Sequence, residues 1–112
     1  MDRNLSWEDF SKIEMRVGTI VKAEVFKEAK KPAYKVWVDF GPLGILKSSA
    51  QLQVKYKAED LPGKQVIGVV NFPKKQIANI QSECLILGAL GAQGAVSLLQ
   101  PDEQVENGLR IA

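Results

Sequence analysis

The sequence predicts an all-β domain folded as a small closed barrel, and three observations predict it. Five or six short runs carry a two-residue or wholly apolar pattern, the longest run holds a glycine at its middle, and one irregular stretch separates the third run from the fourth. A glycine inside a long strand permits the bend that lets one strand serve both sides of a closed sheet. Together these features describe a five-stranded barrel of the OB type, with a short N-terminal helix, a connector helix between strands 3 and 4, and a C-terminal extension.

In chain order, Ser6-Trp7-Glu8-Asp9 reads as a helix start. The Ser6 hydroxyl is placed to cap the Asp9 amide, two carboxylates sit in the first turn, and Leu5 is spaced to staple to Phe10. The helix is short and ends near Lys12. From Ile13 the period is two: Ile13, Met15, Val17, Val21, Ala23 and Val25 share one face, and Glu14, Arg16, Lys22 and Glu24 the other, with Gly18 between. The charged connection Lys27 to Pro32 leads into a strand over Ala33 to Phe40. There Tyr34, Val36, Val38 and Phe40 alternate with Lys35, Trp37 and Asp39. Trp37 on the polar side reads equally as an indole packed on a lysine stem and as a stacking platform.

Gly41 to Gly44 turns the chain, and Ile45-Leu46-Lys47 opens a third strand that passes into Ser48-Ser49-Ala50-Gln51. Leu52 to Leu61 reads as an irregular helical connector, with Tyr56 and Leu61 inward and Glu59 and Asp60 outward. Gln65 to Phe72 is β-branched and almost wholly apolar, which suits a strand covered on both faces. Pro73 stops it. The polar stretch Lys74 to Glu83 reads as a loop held between two buried strands, the second being Cys84 to Leu87, and that is the layout of a binding site on a rigid frame. Gly88 to Gly94 reads as a turn whose glycine spacing does not fit a dinucleotide fingerprint. Ala95 to Leu99 makes a last strand. The tail stays apolar to Ile111, so it is expected to dock, on its own barrel or across a subunit interface.

Composition bounds the functions. A net charge of +2 is too small to force a nucleic-acid reading, so any attraction to phosphate must come from where the 15 basic residues cluster. Cys84 is the single cysteine and histidine is absent, which excludes an internal disulfide, leaves no plausible zinc or haem site and removes the usual general base. No cofactor, no metal and no catalytic turnover are expected. The paired carboxylates Glu8-Asp9 and Glu59-Asp60 lie in predicted helix turns, where capping and solvation account for them. No apolar run suits a signal peptide or a membrane span, so a cytoplasmic protein without membrane insertion is expected.

Asp9 to Gly18 resembles the opening of the tRNA-binding domain that occurs free-standing and appended to some aminoacyl-tRNA synthetases. Within that superfamily the chain is most similar to the CsaA family, small homodimeric proteins described as export-related chaperones. Ala29 to Lys35, Asp39-Phe40-Gly41, Lys47 to Gln51, Val69 to Pro73, Ser82-Glu83, Pro101-Asp102 and Asn107-Gly108 carry the likeness. It runs from about Phe10 to the end, so a single tRNA-binding-type domain over residues 1–112 is expected, with N- and C-terminal dimerisation extensions.

The resemblance implies a tRNA-binding site built from Arg16, Lys35, Ser48, Ser49, Asn71, Lys74, Lys75, Ser82 and Glu83. Lysine and arginine meet phosphates, while the hydroxyls, Asn71 and Glu83 can bond sugars or base edges. Each has a plainer use: Arg16 in a surface pair with Glu14 or Glu24, Ser48 and Ser49 in satisfying local backbone, Cys84 as a small core residue. Two departures stand out. Cys84-Leu85 replaces the glycine and methionine of many tRNA-binding relatives, and Lys74-Lys75 replaces the proline and arginine more usual in the CsaA family, which keeps charge and loses a planar bidentate donor. The alternative function is a chaperone holding unfolded or secretory polypeptides in an apolar groove of a homodimer, with Trp37, Ile77 and Ile80 as groove candidates if exposed. Leu98, Leu99, Leu109 and Ile111 are the dimer-interface candidates.

Overall fold

A computed structural model describes residues 1–112. Helix α1 (Trp7–Ser11) is followed by strands β1 (Met15–Val25), β2 (Tyr34–Asp39), β3 (Ile45–Ala50), β4 (Gln65–Val69), β5 (Lys75–Ile77), β6 (Ile80–Ser82), β7 (Leu85–Ile86), β8 (Gly88–Leu90) and β9 (Val96–Leu98). The cap of α1 forms as its sequence dictates, Ser6 Oγ accepting from the Asp9 amide at 3.0 Å. Five strands make one antiparallel sheet in the order β3-β2-β1-β4-β7. Strand β1 pairs with β4 from Met15 to Thr19 and with β2 from Thr19 to Val25, so one long strand turns the barrel corner. Closure comes where the chain before β7 meets β3: the Glu83 amide donates to the Lys47 carbonyl at 2.7 Å.

Inside lie Ile20, Tyr34, Val36, Val38, Phe40, Leu52, Leu61, Val66 and Cys84. Burying each large aliphatic or aromatic side chain contributes roughly 1.5–3 kcal/mol. Phe40 is at the centre because two glycines leave it room: a Cβ on Gly18 would stand 2.8 Å from the ring, and one on Gly68 2.7 Å from it. The alternation of β2 is borne out residue by residue, with Tyr34, Val36 and Val38 buried and Lys35, Trp37 and Asp39 only partly covered.

Four expectations are corrected. The pairing of β1 slips between Ile20 and Lys22, so the even-numbered Ile20 before the slip is fully buried, the odd-numbered Ala23 after it packs on the same core, and Val21 and Val25 reach the surface. The bulge is therefore not at Gly18, which lies where β1 changes partner and where the ring of Phe40 comes close. The connector between β3 and β4 contains a single 3-10 turn, Ala58–Asp60, instead of a longer helix. Side chains fix it: Tyr34 Oη donates to the Tyr56 carbonyl at 2.8 Å, and Tyr56 Oη accepts from the Leu98 amide at 3.0 Å. Leu61 is inward and Glu59 and Asp60 outward, as expected. The polar stretch after Pro73 is a hairpin, β5 with β6, whose Ile80 closes over Phe26 and Ala33 in a second small core. The glycine-rich segment after β7 is likewise half of a hairpin, β8 with β9.

The tail docks on its own barrel. Gly108 donates to the Val17 carbonyl, Val17 to the Leu109 carbonyl and Ile111 to the Met15 carbonyl, at 2.7, 2.9 and 2.9 Å. Buried Gln65 completes the attachment, its Oε1 accepting from the Val105 amide at 3.0 Å and its Nε2 donating to the Val105 carbonyl at 2.7 Å. These bonds cover an edge of the sheet that would otherwise present unpaired backbone.

Candidate nucleic-acid interface

Strand period decides which of the expected residues can meet. Ser48 and Ser49 are neighbours on β3 and point to opposite faces. Ser48 turns inward and is 2% exposed beside Cys84, which makes it a core residue. Ser49 turns outward, opposite Lys35 on β2, and its amide lies 3.4 Å from Ser82 Oγ. Ser82 in turn pairs with Lys75 across the β5–β6 hairpin. The register of four strands thus gathers Lys35, Ser49, Ser82 and Lys75 on one surface.

Glu83 anchors the floor of that surface. Its Oε1 accepts from the Lys47 amide at 3.0 Å, and its Oε2 is 3.4 Å from Lys74 Nζ. Lys35 is largely covered, its ammonium 3.6 Å from Glu28 and 5.0 Å from the centre of the Phe26 ring. Lys74 and Lys35 each therefore already have a carboxylate partner. Lys30, Lys31 and Lys75 have no ion-pair partner, and all three line an open groove of about 580 Å³ with Ser49, Gln51 and Gln76. A second hollow of about 340 Å³ shares Ser49, Lys75 and Ile77 with it and is walled by Phe72, Pro73 and Leu85. Unpaired cations beside hydroxyls and amides can hold phosphates and sugars without any covalent step.

Two expected residues lie outside this surface. Arg16 is committed to holding the termini: Nη2 is 2.9 Å from Glu14 Oε2, and Nη1 donates to the Gly108 carbonyl at 3.0 Å. Asn71 uses both ends of its amide on backbone, Oδ1 accepting from the Glu14 amide at 3.0 Å and Nδ2 donating to the Lys12 carbonyl at 2.7 Å. Both are clamps for the segment entering β1. Of the apolar candidates, Trp37 is half-covered beneath the Lys22 ammonium, 4.6 Å from the ring centroid, Ile77 is half-buried at the groove wall, and Ile80 is buried in the second core. Ile80 is thus excluded from a peptide groove. Among the dimer candidates Leu98 packs on the main core and Ile111 is half-buried, which leaves Leu99 and Leu109 exposed. Lys30, Lys31, Gln51, Gln76 and Phe72 line the grooves without having been singled out. The signal for the lysines was the basic run Lys27 to Lys31; Phe72 was hidden at the end of an apolar run.

Burial pushes the Cys84 thiol up to about 12, the Glu83 carboxylate adds to this, and a hydrogen bond with Ser48 opposes it. Three decades above the ordinary value of 9.0 leave about a thousandth of the usual thiolate near neutrality. Cys84 in the folded protein is accordingly expected to react with a thiol reagent about a thousandfold more slowly than in denaturant. The folded state holds the thiol proton more tightly than the unfolded one. Its contribution to stability is therefore complete below pH 9.0 and is lost as the pH rises from there toward about 12. Cys84→Ala is expected to flatten that alkaline limb in a pH series of denaturant melts; a limb of unchanged slope would contradict the assignment.

The chain matches the family described as "Putative tRNA binding domain" over residues 15–110. It is 34% identical over 107 residues to a methionine–tRNA ligase of Methanococcoides burtonii, a match covering 96% of this chain and 16% of the ligase. The chain thus spans about a sixth of the length of that relative. Two solved structures are similar over nearly their whole lengths. Chaperone CsaA of Bacillus anthracis is 46% identical with a TM-score of 0.92, covering 96% of this chain and 98% of that one. The CsaA chaperone protein of Picrophilus torridus is 50% identical with a TM-score of 0.89, covering 96% of this chain and 99% of that one.

Proposed function

The chain belongs to the tRNA-binding domain family, and on that premise we propose that it binds tRNA through the groove lined by Lys30, Lys31 and Lys75 and performs no bond chemistry. One observation carries the choice of surface: these three ammonium groups face the same groove and none has an ion-pair partner. Arg16, Ser48 and Asn71 are left out of the site, since each is used within the protein. No histidine is present and the one thiol is buried and protonated, which supports binding without turnover. No helix is long and apolar enough to cross a membrane. A single domain acting in the cytoplasm is the setting this reading implies.

Polypeptide holding is the second reading, supported by the likeness to two chaperones and by apolar surface at Phe72, Leu85 and Leu90, which are 58%, 48% and 87% exposed. Ionic strength separates the two. Binding of total tRNA should weaken steeply and log-linearly with salt, whereas apolar binding of an unfolded secretory precursor should scarcely respond. A salt-insensitive affinity for tRNA would sink the first reading.

A homodimer is part of the proposal. Leu5, Trp7, Phe10 and Ala112 surround a hollow of about 300 Å³ at the joined termini, and Trp7 is 89% exposed there. An isologous contact would cover this face together with Leu109. Sedimentation at micromolar concentration is expected to give twice the chain mass, and Trp7→Glu to give the chain mass; a wild-type monomer would contradict it.

A further inference from the structure

We infer that the hollow walled by Phe72, Pro73 and Leu85 accepts a single unpaired nucleobase, so that the protein engages a single-stranded element of its RNA. The inference rests on the tRNA-binding reading and goes beyond it by assigning the stacking residue. Phosphate contact alone needs only cations in water; it does not need an apolar cleft. Here the cleft is present. Phe72 is more than half exposed, three residues beyond the buried strand β4, and lines a hollow of about 340 Å³ together with Ser49, Ser82 and Glu83. An exposed aromatic face offers every base a stacking partner. Lys75 stands in both hollows, so a phosphate on its ammonium and a base beside Phe72 belong to adjacent positions along one strand. The hydroxyls of Ser49 and Ser82 supply acceptors and donors for the edge of that base, while Glu83 is held beside them by the Lys47 amide and the Lys74 ammonium. In a duplex the bases are stacked within the helix, and an A-form major groove is too narrow to admit a protein side chain.

The test uses the whole chain with three probes: total tRNA, a short unpaired oligoribonucleotide carrying one fluorescent aminopurine, and a duplex of equal charge. Wild type is expected to prefer the unpaired probe and to quench its fluorescence. Phe72→Ala should weaken that binding roughly five- to hundredfold and abolish the quenching, and Phe72→Trp should restore both. Phe72 lies largely in solvent, so folding should survive either change, with thermal unfolding as the control. Equal affinity for duplex and unpaired probes, or an unchanged affinity in Phe72→Ala, would overturn the inference while leaving salt-dependent tRNA binding standing. Loss of polypeptide binding in Phe72→Ala with RNA binding intact would also overturn it, by giving the cleft to a peptide.

Discussion

Phe40→Ala is expected to lower stability by about 3–5 kcal/mol, a large part of the roughly 5–15 kcal/mol that a domain of this size usually has. The cost should fall at the upper end because nothing can collapse into the space. Gly18 and Gly68 flank the ring on two strands, and neither has a side chain to move. The same geometry makes a sharper prediction through a double-mutant cycle. In the wild type a Cβ at residue 68 meets Phe40 at 2.7 Å, so Gly68→Ala should cost about 1–3 kcal/mol by overpacking. With Phe40 truncated, the nearest remaining obstacle is the Leu85 carbonyl at 3.5 Å, an ordinary contact, so Gly68→Ala should then be close to neutral. Denaturant melts of the four proteins measure the coupling. An equal cost in both backgrounds would show that the ring does not set the packing of this end of the barrel.

How much of this was legible in the sequence depends on which force fixed each element. The faces of β2 were readable because one side meets the core and the other does not, so burial imposes its period directly on Tyr34, Val36 and Val38. The faces of β1 were not. The even-numbered Ile20 is buried before the slip and the odd-numbered Ala23 packs on the core after it, so no single two-residue period runs along the strand, and Val21 and Val25 are exposed. The β5–β6 hairpin was hidden because backbone pairing joins Gln76 to Gln81, residues with no apolar period to reveal it.

The charges of the candidate groove were legible in the sequence, and its geometry was not. Adjacent strand residues cannot share a face, so Ser48 and Ser49 were separable from the sequence once both were placed on β3. The pair of Arg16 with Glu14 was legible from their place on one face of the strand, whereas the bonds of Arg16 to Gly108 and of Asn71 to Lys12 and Glu14 were not, because those backbone groups are brought together only by docking of the termini. Family likeness marks these residues equally well whether they hold a ligand or hold the chain.

Replacing Lys30, Lys31 and Lys75 together with glutamine is expected to weaken tRNA binding at least tenfold at moderate salt, with little change in thermal stability. These side chains take part in no ion pair, and exposed substitutions of this kind usually alter stability by less than about 0.5 kcal/mol. Lys74→Gln, by contrast, should have a smaller effect, since that ammonium already lies 3.4 Å from Glu83 and releases fewer counterions on meeting a phosphate.

The most direct measurement is the slope of the logarithm of tRNA affinity against the logarithm of salt concentration, for wild type and for the triple glutamine variant. If three phosphates sit on these three ammonium groups, the magnitude of the slope falls by about 2–3 in the variant. A variant that keeps the wild-type slope would place the RNA elsewhere on the barrel and contradict the assignment of this groove.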